Sequence, residues 1–244
     1  MTTPPPPLSP PGALRIDLHA HSTASDGTAS PTLFVETAAR AGLNVVALTD
    51  HDTVAGVAEA MAAAEPLGVR VIAGVELSVM DGKEEVHLLG LHLANVGAIA
   101  DALERFRQGR TTRAEAMVAA LNAKGMPITI EAVLREAAGG AVGRPHVARA
   151  MIAGGWVSDA REAFDKWLGA GRPAYVEQPR LDVADGVNLV HQAGGLAVWA
   201  HPGDDGRRGR FERMVAAGID GAEVKHPGHG SEDAARIGAL VEFF

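Results

Sequence analysis

The sequence predicts an α/β fold in which parallel strands are joined by crossover helices. Two observations carry this. From Leu14 onward, short β-branched apolar runs alternate with alanine-rich stretches, the pattern of successive βαβ units. The alternation stops after Asn95, where no strand-like run occurs for about seventy residues, and resumes near Val183.

The first strand is expected over Leu14–His19. A helix follows, with Ser30 able to cap it and Pro31 suited to its first turn. Val45–Thr49 reads as a strand and Thr53–Ala64 as a helix, with Asp52 placed to cap it. Val69–Val79 is strand-like and carries Glu76; Glu85–Leu93 is strand-like and carries His87. Successive helices are expected over 98–107, 112–124, 130–138, 145–153 and 158–168, followed by an irregular stretch over 171–180. The rhythm returns with a helix at Val183–Gln192 and the strand Leu196–Ala200, which leads into His201-Pro202. A helix at Arg210–Ala217, a strand at Gly221–Lys225 and a helix from Ser231 complete the order. This divides the chain into a proline-rich, disordered tail (1–12), an α/β domain (13–94 and 181–244) and an inserted helical subdomain (95–180).

Composition narrows the function classes. The 244 residues are 47% hydrophobic, enough to build a core. A net charge of −8 argues against coating nucleic acid by bulk electrostatics, so a DNA duplex is not an expected partner. A small anionic substrate stays open, because a metal site is locally positive. The absence of cysteine excludes disulfides and thiolate zinc sites and is compatible with a reducing cytoplasm. No apolar run reaches membrane-spanning length, and the start lacks the basic and apolar regions of a signal peptide. Nothing in the sequence specifies an oligomeric state.

The chemistry lies at strand ends. His19 and His21, two apart on a strand, share one face. Asp50, His51 and Asp52 follow the second strand, and Glu76, His87 and His201 sit on or after later ones. In α/β sheets and barrels the ligand site is formed at the carboxyl ends of the strands. One such histidine is commonplace, but recurrence at nearly every strand end points to a metal centre. Imidazole and carboxylate without cysteine suit Zn, Mn or Fe. Glu76 can bridge two ions, as in centres that hydrolyse phosphate esters. Neither a Gly-x-Ser-x-Gly elbow nor a phosphate-cradling P-loop occurs.

Six segments make the pattern specific: Asp17-Leu18-His19-Ala20-His21-Ser22, Ser25-Asp26-Gly27, Leu48-Thr49-Asp50-His51-Asp52, Gly74-Val75-Glu76, Glu85-Val86-His87-Leu88-Leu89-Gly90 and Ala200-His201-Pro202. In this order they resemble the PHP (polymerase and histidinol phosphatase) family of metallophosphoesterases. Gly143-Arg144-Pro145-His146-Val147-Ala148 and Val224-Lys225-His226-Pro227-Gly228-His229 look like its standalone subgroup, which acts on nucleoside 3′,5′-bisphosphates and nucleotides or trims short RNA from the 5′ end (the RNase AM type). The resemblance implies a distorted (β/α)7 TIM-like barrel with a helical insertion and two or three divalent ions. His19 and His21 would hold the first ion, Glu76 would bridge to the second, His87 and His201 would complete the second, and Asp26 and His51 would hold a third. Asp50 would orient a ligand imidazole or serve as a structural hydrogen-bond partner.

Arg110, Arg113, Arg144 and His146 are candidate phosphate contacts, where guanidinium and the helix start at Pro145 suit an anion; the resemblance implies that role for Arg113 and Arg144, and Arg110 can instead lie on a solvated helix face. Arg105 and Arg107 read as a solvated face, and Arg207-Arg208-Gly209-Arg210 as an exposed loop and helix start. His226 and His229 would contact substrate or assist protonation of the leaving oxygen, or His229 would belong to a polar turn around Pro227-Gly228. His92 is expected to pack or face solvent, and His191 to sit at a helix C-terminus, where a cation suits the dipole. The family also carries a final strand with Gly-Ser-Asp-x-His, whose Asp and His serve the first and third ions. This sequence stops at Phe244 without that motif, so the expectation is a barrel lacking its last strand. The implied activity is phosphate-ester hydrolysis by metal-activated hydroxide. The alternatives are a non-catalytic PHP-fold protein that binds metal or nucleotide, a histidinol-phosphate phosphatase and an amidohydrolase-like hydrolase.

Overall fold

The structure, a computed structural model, describes residues 14–137, 142–177 and 181–244. The proline-rich tail lies outside them, as do the last three residues of the irregular stretch. One unit runs to Ala100 and resumes over Leu181–Phe244; the other is Asp101–Arg180.

The first unit holds a curled six-stranded sheet in chain order: β1 (Ile16–Asp17), β2 (Val45–Leu48), β3 (Arg70–Asp81), β4 (Glu84–Leu91), β5 (Leu196–Trp199) and β6 (Gly221–Ala222). β1–β2, β2–β3 and β5–β6 pair in parallel. β3–β4 and β4–β5 are antiparallel, which corrects the all-parallel expectation. The cause is local. Only Gly82-Lys83 separates β3 from β4, and a two-residue connection can join only antiparallel strands. Gly82 takes the positive φ (66°) that such a turn requires. The glycine at the first turn position, between two apolar runs, was the readable signal.

The reversal matters for the site. β4 runs against its neighbours, so its first half lies at the edge where β2 and β5 end. His87 therefore reaches that edge from the start of its strand and not from a carboxyl end. β1 is also shorter than expected, so His19 and His21 stand on irregular chain beyond it.

Helices α1 (Pro31–Arg40) and α2 (Val57–Ala64) cover β2. Val35, Ala60 and Ala64 bury against Val46 and Leu48. Ser30 caps α1 as expected, accepting the Leu33 N–H. α2 begins four residues later than expected, and Asp52 does not cap it: its carboxylate takes the Ser78 N–H across to β3. Helix α7 (Val183–Gln192) packs on β3 to β5 at a glycine, since a Cβ on Gly186 would lie 2.7 Å from Val79 Cγ1. Helix α8 (Arg208–Ala216) lays Phe211 against Trp199, rings 5.2 Å apart. Arg207, Arg208 and Gly209 are exposed, but Arg210 is buried among Asp81, Asp205 and Glu84 at 2.9–3.0 Å. Helix α9 (Ser231–Phe243) ends the chain.

The second unit is helical: most of α3 (Val96–Asn122), then α4 (Ile130–Ala137), α5 (Arg144–Ala153) and α6 (Ala160–Ala163), the last continuing as a π turn over Phe164–Leu168. Met117, Leu121, Val133, Val147, Met151 and Leu168 form its core. The two helices expected over 98–107 and 112–124 are one. Gly109 between them costs about 1 kcal/mol relative to alanine, too little to break a helix with apolar burial on both sides. No described helix is long and apolar enough to cross a membrane.

Candidate metal centre

The centre is built on Glu76. An isolated parallel bridge sets it level with His51, just beyond β2. Its side chain is 1% exposed. Nε2 of His19 and Nε2 of His21 each lie 3.0 Å from its Oε2, and His51 Nε2 lies 3.4 Å away. On the other oxygen, Oε1, Nδ1 of His87 and Nε2 of His201 each stand at 2.9 Å. One buried carboxylate thus presents each oxygen to a separate set of imidazoles.

Local structure explains the convergence. His201 follows β5 with φ 29°, a left-handed turn that few non-glycine residues adopt. The loop bearing His21 and Asp26 is tied down by Asp50, which is 1% exposed. Asp50 accepts the Ser22 N–H (2.6 Å), the Ser22 hydroxyl (2.7 Å) and the Ser25 hydroxyl (2.7 Å). The Asp50 carboxylate therefore holds the loop, and it acts on His21 through the neighbouring main chain. Gly27 is required there, because a Cβ would collide with the His21 carbonyl. Asp26 Oδ1 lies 3.3 Å from His21 Nδ1 and its Oδ2 3.9 Å from His51 Nε2.

The electrostatics follow. Burial opposes the charge of Glu76, but hydrogen bonds from His19, His201, His21 and His87 hold it far below the usual carboxylate range. Burial pulls His19 down, and carboxylates Glu223 and Glu76 outweigh it, raising the imidazole to about 9. Contact with Glu76 raises His87, whereas burial lowers His51.

The donor set fits divalent metal. Potential ligand groups within 4.8 Å are His19–His21–Glu76, His51–Glu76–His87 and His21–Asp26–His51. Neighbouring imidazole nitrogens are 3.1 Å apart for His19 and His21 and 3.2 Å for His87 and His201. Ligands about 2.1 Å from one ion would stand at such separations. His21 Nδ1 is buried without a well-formed hydrogen bond among the described residues.

The remaining expected residues divide. His226 Nδ1 accepts the Gly228 N–H, which puts the proton of its neutral ring on Nε2, and burial lowers its pKa. Its ring lies 5.7 Å from that of His19 and 5.3 Å from that of His201. His229 is occupied at both nitrogens, Nδ1 donating to the Val224 carbonyl and Nε2 accepting the Gly203 N–H. His191 pairs with Asp220 at 2.7 Å, and His92 is exposed. Arg110, Arg113, Arg144 and His146 belong to the helical unit. There, Arg113 Nε donates to the Val176 carbonyl (2.7 Å), Arg144 lies over the Phe164 and Tyr175 rings (5.7 Å each), and His146 Nδ1 accepts the Gly143 N–H ahead of α5.

Glu223, just beyond β6, was missed by sequence reasoning. It lies 3.2 Å from His19 Nδ1 and groups with His19 and His226 as a further potential ligand set. The strand-end rule that picked out the histidines applied to it equally.

The family model for the PHP domain matches residues 17–177. The chain belongs to the PHP family. Its PHP relatives include the 3′,5′-nucleoside bisphosphate phosphatase of Chromobacterium violaceum, 40% identical over 225 residues, covering 89% of this chain and 79% of that protein. A 5′-3′ exoribonuclease of Haemophilus influenzae is 37% identical over 216 residues, covering 86% and 78%. Among solved structures, an amidohydrolase from C. violaceum with bound sulfate matches with a TM-score of 0.68 at 38% identity, over 94% of this chain and 83% of that one. A protein from Bifidobacterium adolescentis named as a metal-dependent phosphoesterase also matches with a TM-score of 0.68, at 33% identity over 96% and 85%.

Proposed function

We propose that this PHP protein is a metal-dependent phosphoesterase acting on nucleotides: nucleoside 3′,5′-bisphosphate, nucleoside monophosphate or short 5′-phosphorylated RNA. The observation that carries the reading is the division of the Glu76 carboxylate between His19, His21 and His51 on Oε2 and His87 and His201 on Oε1. That arrangement suits a bridged pair of Mn, Zn or Fe ions, with Asp26 and His51 beside a third. Bound ions would supply Lewis acidity toward a phosphoryl oxygen and a hydroxide nucleophile near neutral pH.

The protein's own groups do the rest. Glu76 and the imidazoles would hold the ions, and the burial of Glu76 limits the water that would screen its charge. His226 offers its Nε2–H to an oxygen of the scissile phosphate or to the leaving oxygen. Arg110, Arg113, Arg144 and His146 would meet the non-scissile phosphate from the helical insertion, 95–180. In this reading the six-stranded sheet belongs to a distorted (β/α)7-type barrel, and a cytoplasmic setting suits a cysteine-free nucleotide enzyme.

The similarity to a named bisphosphate phosphatase and a named exoribonuclease supports this substrate class. The test is phosphate release from adenosine 3′,5′-bisphosphate with and without Mn. Metal-dependent release is expected, with loss in a His21→Ala variant. Full turnover after chelation would overturn the assignment.

A further inference from the structure

We infer that Glu223 is a positioning residue of this centre: it takes the Nδ1 proton of His19, so that Nε2 is presented to an ion, and the same carboxylate holds the main chain of His201. The inference rests on the metal-centre reading above and concerns how the ligands are kept in place.

Glu223 follows β6 and is anchored by its own N–H, which donates to the Trp199 carbonyl at 2.9 Å. Its side chain is 12% exposed and that of His19 9%, so water competes little for the contact. Both carboxylate oxygens lie 3.2 Å from His19 Nδ1. A carboxylate can only accept, so this contact requires the proton on Nδ1. In the neutral ring the lone pair is then on Nε2, the nitrogen 3.0 Å from Glu76 Oε2 and 3.1 Å from His21 Nε2. A carboxylate behind a ligand imidazole fixes its tautomer and orientation and raises its basicity.

The second contact extends the role. Glu223 Oε2 accepts the His201 N–H at 2.8 Å. His201 holds the strained φ of 29°, which persists only if its surroundings enforce it. His19 serves the Oε2 side of Glu76 and His201 the Oε1 side. One carboxylate therefore braces ligands on both sides of the bridge.

The experiment is zinc titration of the metal-free full chain, with Glu223→Ala and Glu223→Gln. Glu223→Ala should bind the same number of ions about 10- to 100-fold more weakly. Glu223→Gln, whose carbonyl oxygen accepts the same proton, should recover part of that loss. Nitrogen-15 spectra of the zinc-loaded unsubstituted chain should show His19 as the Nδ1–H tautomer. Unchanged affinity in Glu223→Ala overturns the inference. So does loss of one ion per chain in both variants, which would make Glu223 a direct ligand. If Glu223→Ala does not fold, the tautomer decides: Nε2–H on His19 overturns the inference. No zinc uptake by the unsubstituted chain overturns the metal-centre reading itself, and the inference with it.

Discussion

His87 and Glu76 are diagonal neighbours across the β3–β4 hairpin. His87 pairs with Ser78 and Glu76 with Leu89, yet His87 Nδ1 and Glu76 Oε1 are 2.9 Å apart. Ser78 and Glu76 share a sheet face, so the residue opposite Ser78 reaches Glu76 along that face. The hairpin register thus delivers the bridging carboxylate and one of the two imidazoles on its Oε1 side. Replacing His87 by Ala should remove a ligand from the Oε1 side and leave His19 and His21 in place. Metal analysis should show partial loss of bound ion, and turnover should fall by about 100-fold or more.

Glu76→Gln tests the bridge as a whole. The substitution keeps shape and removes the charge that all five imidazoles approach. Metal content should fall at both sides together, which mass spectrometry of the dialysed protein would read. Retention of a full ion complement would refute the bridging role.

The His19 imidazole sets a pH dependence. Its folded pKa, about 9, stands above the unfolded value of 6.5. In the metal-free protein the stability from its protonation is complete below pH 6.5 and is lost as pH rises through 9. Metal must displace that proton, so affinity should climb over the same window. Thermal unfolding in chelator and zinc titrations, both at stepped pH, should give opposite slopes.

Asp50→Ala should destabilise the protein and weaken metal binding together. It leaves the buried Ser22 N–H and hydroxyl and the half-buried Ser25 hydroxyl without their acceptor. The expected cost is about 2–4 kcal/mol by denaturant unfolding. An unchanged midpoint would show that the loop holds its shape without Asp50.

His226 and His229 should separate by phenotype. His229→Ala removes two main-chain contacts and should lower stability by about 1–2 kcal/mol, measured by denaturant unfolding. His226→Ala should lower turnover while metal content and unfolding midpoint stay near those of the unsubstituted chain. Equal behaviour of the two variants would refute this division.

Much of the molecule was legible in its sequence, for identifiable reasons. Strand and helix periodicities located the elements, and ligand chemistry restricted to imidazole and carboxylate marked His19, His21, His51, Glu76, His87 and His201. Those signals are local: they depend on a residue's type and its near neighbours. The direction of β4 was also local, encoded in the Gly82-Lys83 turn. The merging of two expected helices into α3 depended instead on apolar burial along the helix, which overrode the weak preference of Gly109.

Only the tertiary structure decided which side chains meet. The contact of Glu223 with His19 spans 204 positions and that of His201 with Glu76 spans 125, and no sequence periodicity reaches so far. It likewise separated His226, which keeps Nε2–H, from His229, which is spent on the main chain. Residue type determined what chemistry the chain can support. Strand order and register determined how those groups share one buried carboxylate, because only folding brings distant strand ends to a common edge.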